Sequence, residues 1–320
     1  MSLRLLFEVL APHGSRSRLS VLIFHRVRPR IDPLFPSEPD AAAFEAQLRW
    51  VKGWFNVMPL PDAVAALRDG TLPARPLCIT FDDGYADNAT LALPILRKLG
   101  LHATFFIATG YLNGGRMWND TIIEAVRRAA GPRLDLAGIG LGEHAIGSDE
   151  ERRGAIVALL RQLKYLPKAE RRSKAQAVAD AVGTALPNDL MMTDRQLREL
   201  QAGGMTIGAH TVTHPILAGL GDAEAHAEIA EGKRALEGLT GKPVTLFAYP
   251  NGKPGRDYTA THVGMVREIG FEAAVSTAEG AASAGGDLHQ IPRFTPWDKT
   301  RWRYGLRLAR NARHGRLAAV

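Results

Sequence analysis

The sequence predicts an α/β fold built on a parallel sheet or an α/β barrel, with a helical insertion on the scaffold. Three observations predict it. Short apolar runs of strand length alternate with segments of helical spacing. Each polar cluster able to do chemistry follows one of those runs, where such folds place their ligands. From residue 121 to about 186 the pattern becomes mostly helical and charged.

The elements follow in order. Residues 1–18 form a basic amphipathic lead-in, with Arg4, Arg16 and Arg18 around Leu3, Leu5, Leu6, Phe7, Val9 and Leu10. Residues 19–24 are an apolar run bounded by polar residues, hence a buried strand, and His25-Arg26-Val27 follows it. Phe44, Leu48 and Val51 recur at helical spacing, and Pro61 stands near the start of a second short helix. Residues 76–81 form a strand that runs into Asp82-Asp83-Gly84-Tyr85. A helix over 89–99 is stopped by Gly100, and a third strand covers 103–107. The insertion spans about residues 117–190 and contains a loop over 131–147. Thr193 caps a helix over 193–202, and a strand at 205–207 delivers Gly208-Ala209-His210. A helix over 223–239 precedes a strand at 244–247, which leads to Tyr249-Pro250-Asn251-Gly252. A helix at 262–269 and strands at 273–276 and 290–294 complete a catalytic domain over 19–296, leaving a basic tail at 297–320.

Composition narrows the function. Hydrophobic residues make up 46% and charged residues 23% of the 320, an ordinary balance for a soluble globular chain with a sizeable core. The one cysteine, Cys78, precludes an intrachain disulfide and sits in Leu77-Cys78-Ile79 as a small buried hydrophobe. The net charge of +7 and pI near 9.7 suit nucleic acid, an anionic membrane or an anionic substrate. No recognisable nucleic-acid-reading module is present, so a nucleic-acid partner is not expected. No run approaches the roughly 18 apolar residues of a membrane span. The N-terminal apolar segment, broken by Glu8 and ending in Pro12-His13-Gly14, is not read as a secretory signal, so a cytoplasmic location is expected. Arg301, Arg303, Arg307, Arg310, Arg313 and Arg316 interleave with Trp302, Tyr304, Leu306 and Leu308, the composition of an interfacial helix. Peripheral contact with the anionic inner face of a membrane is one expectation for the two ends. Packing on the barrel, with arginines in solvent, is the other.

Two pairs of residues carry the chemistry. Asp82 and Asp83 end an apolar strand, where successive side chains point in different directions, so one carboxylate can bind a metal and the other accept a proton. The plain alternative is a turn, since Asp-Asp-Gly is good turn chemistry. His210 and His214 are four apart, and on a helical turn both imidazoles share one face. Alternatively they are two solvated or hydrogen-bonded histidines. Two imidazoles and a carboxylate make a three-ligand zinc site with an open position for water.

Thr80-Phe81-Asp82-Asp83-Gly84-Tyr85 and His210-Thr211-Val212-Thr213-His214-Pro215 resemble the first two motifs of the polysaccharide deacetylase family, also known as NodB-homology domains or family 4 carbohydrate esterases. The resemblance covers about residues 21–294. It implies a distorted (β/α) barrel with a divalent metal ion, zinc by expectation, at the mouth formed by the strand C-termini. It implies Asp83, His210 and His214 as ligands and Asp82 as general base. The family's Arg-x-Pro-Tyr motif is altered here to Ala248-Tyr249-Pro250-Asn251. The oxyanion donor in the family is a backbone N–H, which Asn251 retains. The base-orienting arginine is absent at 248, and Arg293, in Ile291-Pro292-Arg293-Phe294, is the candidate to reach in from another strand. An ordinary surface pair is the alternative for Arg293.

The family's Leu-x-x-His general acid has no clean copy, since Leu288-His289 has the wrong spacing. His25, in Ile23-Phe24-His25-Arg26-Val27, resembles the Tyr-His-x-Val segment of the branch that deacetylates poly-N-acetylglucosamine and is the preferred acid. A core histidine is the alternative for His25, and His289 is the second candidate acid. Trp118-Asn119-Asp120 reads as packing, or as a border of the substrate groove. His102, His144, His226 and His262 read as structural or solvated. The expected reaction removes N-acetyl groups from an amino-sugar polysaccharide or a lipid-linked glycan precursor. The alternatives are the same chemistry on a formyl-sugar lipid or small amide, or carbohydrate binding without catalysis.

Overall fold

The structure, a computed structural model, describes residues 3–313 and 318–320; Arg316 of the basic tail lies outside the described residues. Helix α1 (Leu3–Leu10) precedes strand β1 (Arg18–Phe24). Helix α2 (Ala41–Trp54) is capped by Asp40, whose carboxylate accepts the Ala43 N–H. Strand β2 (Asn56–Val57), helix α3 (Leu60–Asp69) and strand β3 (Pro76–Phe81) follow. A π-helical turn (Asn88–Ala92) leads into α4 (Leu93–Leu99), then β4 (Thr104–Ile107).

Next come α5 (Trp118–Arg128), β5 (Arg133–Leu136), β6 (Gly142–Ala145), α6 (Asp149–Leu163) and α7 (Lys168–Val182). The stretch expected as a loop at 131–147 therefore contains an antiparallel hairpin, paired from Arg133–Ala145 to Leu136–Gly142. The alternation of Leu134 and Leu136 with exposed Arg133 and Asp135 is a strand signal that the charge obscured. Residues between β4 and α8 have their own apolar cluster, including Ile122, Val126, Leu159, Leu163 and Val178, joined by Leu34 from the β1–α2 connection.

The chain returns to the barrel through α8 (Asp194–Ala202), whose Thr193–Gln196 capping box matches the expected cap. Strand β7 (Thr206–Ala209), helix α9 (Asp222–Thr240), strand β8 (Leu246–Ala248), helix α10 (Ala260–Glu268), strands β9 (Ala273–Val275) and β10 (Ala282–Ser283), and helix α11 (Arg301–Ala312) complete the order.

The main sheet runs β10-β1-β3-β4-β7-β8-β9, with β2 beside β3. Every pairing is parallel except that of β10 with β1. Leu22, Phe24, Ile79, Phe81 and Phe105 belong to the core beneath the outer helices. The alternate residues Leu19, Val21, Cys78 and Phe106 cluster with Leu246, Ala248, Val275 and Ile291, and with Leu60, Val64 and Leu67 of α3. This second cluster joins strands far apart in the sheet order, so it fills the inside of a distorted barrel.

Residues 291–295 close the seam. Ile291 exchanges backbone bonds with β9, its N–H to the Ala274 carbonyl at 2.9 Å and its carbonyl from Ser276 at 2.8 Å. Phe294 N–H then donates to Val21 of β1 at 2.9 Å, and Thr295 Oγ1 accepts from Ile23 N–H at 2.8 Å. The regular strand expected at 290–294 is therefore not formed. The bonding switches partner strand within four residues, and Pro292 has no N–H for a ladder.

The C-terminal segment forms α11, which packs on α1 and on the core through buried Tyr304, Leu308, Ala309 and Ala312. Gly305 permits the contact: a Cβ there would lie 2.5 Å from Leu3 Cδ1. Trp302 and Leu306 remain exposed on the other face. Among the described residues no helix is long and apolar enough to cross a membrane.

Candidate active site

The alternation along β3 sets the two aspartates apart. Cys78 and Thr80 face the barrel interior, and Asp82 continues that side. There its carboxylate meets Arg293, with Nη1 donating to Oδ1 at 2.6 Å and Nη2 to Oδ2 at 2.7 Å. Arg293 is buried over the Phe106 ring, and its remaining donors reach Thr80 Oγ1 at 3.1 Å and the Ser276 carbonyl at 3.1 Å. Arg293 is thus a buried two-pronged partner rather than an ordinary surface pair. Burial pushes the Asp82 carboxyl up, but the Arg293 and His210 charges outweigh it and hold it below the usual carboxylate range.

Asp83 has φ +76°, and this left-handed turn breaks the alternation. Its Oδ1 is buried, has no hydrogen-bond partner, and lies 3.5 Å from His210 Nε2 and 3.4 Å from His214 Nε2. The three ligand atoms all lie within 4.8 Å of one another. Donors bonded about 2.1 Å from an ion at tetrahedral angles sit about 3.4 Å apart. The orphaned oxygen and these separations fit a divalent cation. Asp83, His210 and His214 are the residues that would hold it.

The histidines do not sit on a helical turn, as their spacing suggested. Residues 210–216 form an irregular loop after β7, with Thr211 at φ +64° and His214 at φ +52°. Glu228 of α9 holds this loop, accepting the Val212 and Thr213 N–H groups at 3.0 and 2.7 Å and the Thr213 hydroxyl. Gly232, one turn along α9, lets the helix approach: a Cβ there would lie 2.9 Å from the Thr211 carbonyl. His210 Nδ1 lies 2.7 Å from the Ala248 carbonyl, which fixes the tautomer with Nδ1–H donating and Nε2 free to face Asp83. Burial lowers the His214 pKa to about 4, keeping that imidazole neutral. Burial also acts against charge on His210, but Asp82 and Asp83 raise its pKa overall.

Sequence reasoning missed Glu228, although a signal existed. Ala225, Ile229, Gly232 and Leu236 are the buried face of α9, and Glu228 is an acid in that stripe. It also missed the support behind Asp83. Tyr85 hydroxyl bonds Asp120 at 3.1 Å, the Arg26 guanidinium lies 4.4 Å over the Tyr85 ring, and Arg26 pairs with Asp87 at 2.7 Å.

His25 is exposed at the carboxyl end of β1, its carbonyl accepting from Asn88 Nδ2 at 2.9 Å. It is not a core histidine. Its side chain is near enough to act electrostatically on Asp82, Asp83 and His214. His289 bonds the Phe271 carbonyl at 2.9 Å and neighbours Arg267, beside the amino end of β9 and away from the mouth. Asn251 has φ +60° and lines the same groove as His214; its N–H has no hydrogen-bond partner among the described residues. Trp118 packs against the apolar cluster of the insertion and, with Asn119, also lines that groove, whereas Asp120 is buried against Tyr85.

The sequence profile of the polysaccharide deacetylase family matches residues 69–145 and 166–274, more than half of the chain. YxkH of Bacillus subtilis (strain 168), whose name provisionally places it among polysaccharide deacetylases, is 20% identical over 279 residues, 87% of this chain and 71% of that protein. The structure of IcaB from Ammonifex degensii matches with TM-score 0.59 and 20% identity over 94% of this chain and 98% of that one. The Streptococcus pyogenes deacetylase PplD, solved with acetate, matches with TM-score 0.57 and 20% identity over 87% and 91%. The two structures share the barrel fold with this chain.

Proposed function

Because this chain belongs to the polysaccharide deacetylase family, we propose that it hydrolyses the acetamide of an N-acetylated amino sugar, in a polysaccharide or a lipid-linked glycan precursor, with a divalent cation held by Asp83, His210 and His214. One carboxylate and two imidazoles are a donor set that suits zinc. When bound, such an ion supplies Lewis acidity and lowers the pKa of water. Asp82, oriented by Arg293, takes the proton from the attacking water. The Asn251 N–H faces the acetyl oxygen as negative charge gathers on it. His25, exposed at the mouth, gives a proton to the departing nitrogen. Acetate and a free amine result.

The observation that carries this reading is the meeting of three ligand atoms beside an arginine-held carboxylate. The test is acetate release from chitooligosaccharides, poly-N-acetylglucosamine and peptidoglycan fragments, before and after chelation and on re-addition of zinc. Metal-independent turnover would remove the cation. Metal and glycan binding with no acetate released from any substrate would leave carbohydrate binding as the function.

We also propose that the chain acts at the cytoplasmic surface of an anionic membrane through its α1–α11 face. Leu5 and Val9 of α1 are 54% and 75% exposed, and Trp302 and Leu306 of α11 are 59% and 52% exposed. Arg4, Arg301, Arg303, Arg310 and Arg313 are exposed on or at the end of the same two helices. Apolar side chains with a basic surround suit an anionic lipid surface.

A further inference from the structure

The groove beside His214 and Asn251 is unusual in its charge. It has a volume of about 360 Å³, and one wall comes from the insertion, through Trp118, Arg161, Lys164 and Arg171. Lys253 and Arg256, from the loop after β8, complete the opposite side. Five cationic side chains thus face one space, and among the described residues no Asp or Glu lines it. None of the five has a carboxylate within ion-pair distance among the described residues. Asp257, the acid nearest in sequence to Lys253 and Arg256, is buried behind the wall and accepts the Lys253 N–H at 3.0 Å.

Two features mark this as a built site rather than a solvated face. Arg171 is buried to 7% exposure, and among the described residues its guanidinium meets the Lys164 carbonyl, at 3.0 Å, and the Trp118 ring, at 5.3 Å, but no carboxylate. Its remaining donors are left to the groove, where an anion would supply the counter-charge that the protein does not. One aromatic ring also gathers two outer cations, with Arg256 4.9 Å and Lys164 5.6 Å from the Tyr165 centroid. Like charges held together in this way raise the local affinity for a polyanion.

We propose that this groove binds phosphoryl oxygens carried by the amino-sugar substrate itself, so that the enzyme acts on phosphate-bearing N-acetylated sugars. This rests on the deacetylase reading above. Phosphoryl groups are favoured over a carboxylate because one carboxylate offers a single charge to five cations, whereas a diphosphate offers two or more charges and a full set of acceptor oxygens. The site lies next to His214, so a sugar with its acetamide at the cation-binding residues reaches it without a spacer.

The experiment compares kcat/KM for acetate release from four sugars: an uncharged methyl glycoside, a uronate-bearing disaccharide, a nucleoside-diphosphate amino sugar and a polyprenyl-diphosphate amino sugar. Zinc-loaded protein is used throughout. The native protein is expected to favour both diphosphates over the methyl glycoside by about 10- to 100-fold, the effect of one or two charge-assisted bonds. In Lys164→Ala/Arg256→Ala that ratio falls toward one, and in Lys164→Arg/Arg256→Lys it returns. A general loss of fold lowers all four rates and leaves the ratio unchanged. A ratio near one in the native protein, or a larger preference for the uronate, overturns the proposal. A preference confined to the prenyl or the nucleoside arm identifies which source of phosphate is recognised. If no sugar is turned over, the deacetylase reading fails, and calorimetry with inorganic pyrophosphate decides the groove alone. Binding that disappears in the double alanine variant supports the groove, and equal binding by both proteins overturns it.

Discussion

Arg293 holds Asp82 with both terminal guanidinium nitrogens, at 2.6 and 2.7 Å, across 211 positions of sequence. The carboxylate is therefore fixed in orientation and held below the usual carboxylate range against the upward push of burial.

The first prediction follows from that pair. A lowered carboxyl pKa means that the charged form persists as pH falls, until the folded pKa is crossed. In Arg293→Ala the base should protonate at higher pH, so the acid limb of kcat/KM moves upward. Leaving a buried charge unpaired should also cost about 3–5 kcal/mol of stability. Arg293→Lys should recover part of both. A pH–rate profile and a thermal melt check this; an unmoved acid limb would detach Arg293 from the base.

Asp82 and Asp83 should separate in their effects. Asp82→Asn is expected to keep its zinc and lose roughly 100- to 10,000-fold in turnover, the range for a general base. Asp83→Asn should lose the metal itself, since it removes the oxygen that faces both histidines. Metal analysis beside initial rates decides. Equal metal loss in the two variants would sink the division of labour.

His25→Ala should leave metal content intact and slow amide hydrolysis by roughly 100-fold or more. An activated ester, whose leaving group needs no proton, should suffer much less. If both substrates slow alike, His25 does not act as an acid.

Glu228 bonds none of Asp83, His210 and His214, yet it accepts from the backbone between the two histidines. Glu228→Ala should weaken zinc retention by roughly 10- to 100-fold, as loss of outer support typically does. A graded chelator titration measures it. Retention equal to that of the native chain would reduce Glu228 to a helix-packing residue.

The membrane contact is tested best by surface substitutions, because deleting α11 would also strip Tyr304 and Leu308 from the core. Trp302→Glu/Leu306→Glu should abolish sedimentation with anionic vesicles at low salt and leave metal content unchanged. Salt should weaken the native binding, since attraction between exposed charges is screened. No sedimentation of the native chain at low salt would return both helices to the role of scaffold.

Much of this site is legible in the sequence. The strand at 76–81 was recognised because its residues are uniformly apolar, and the carboxylates follow directly from its end. The residues proposed to hold the cation are legible because each lies within a few residues of a strand end. What escaped depends on approach through space. The His210–His214 pair suggested a helix, but two left-handed residues and Glu228 make a loop of it. Arg293 lies on no regular strand, and only the barrel seam brings it to Asp82. The groove cations come from the end of α6, from α7 and from the loop after β8, so their convergence has no trace in local spacing.

The seam at residues 291–295 also orders events during synthesis. β1, β3, β4 and β7 can pair as the chain emerges, but the barrel stays open until the segment beyond β9 arrives. Until then Asp82 lacks its guanidinium partner, and the inner faces of β1 and β9 are open to water. Contacts this distant in sequence close slowly because of the chain entropy they cost. The Asp82 carboxylate should therefore be among the last groups to reach its native environment, and a chain released before residue 293 would present Asp83, His210 and His214 beside an Asp82 without its arginine.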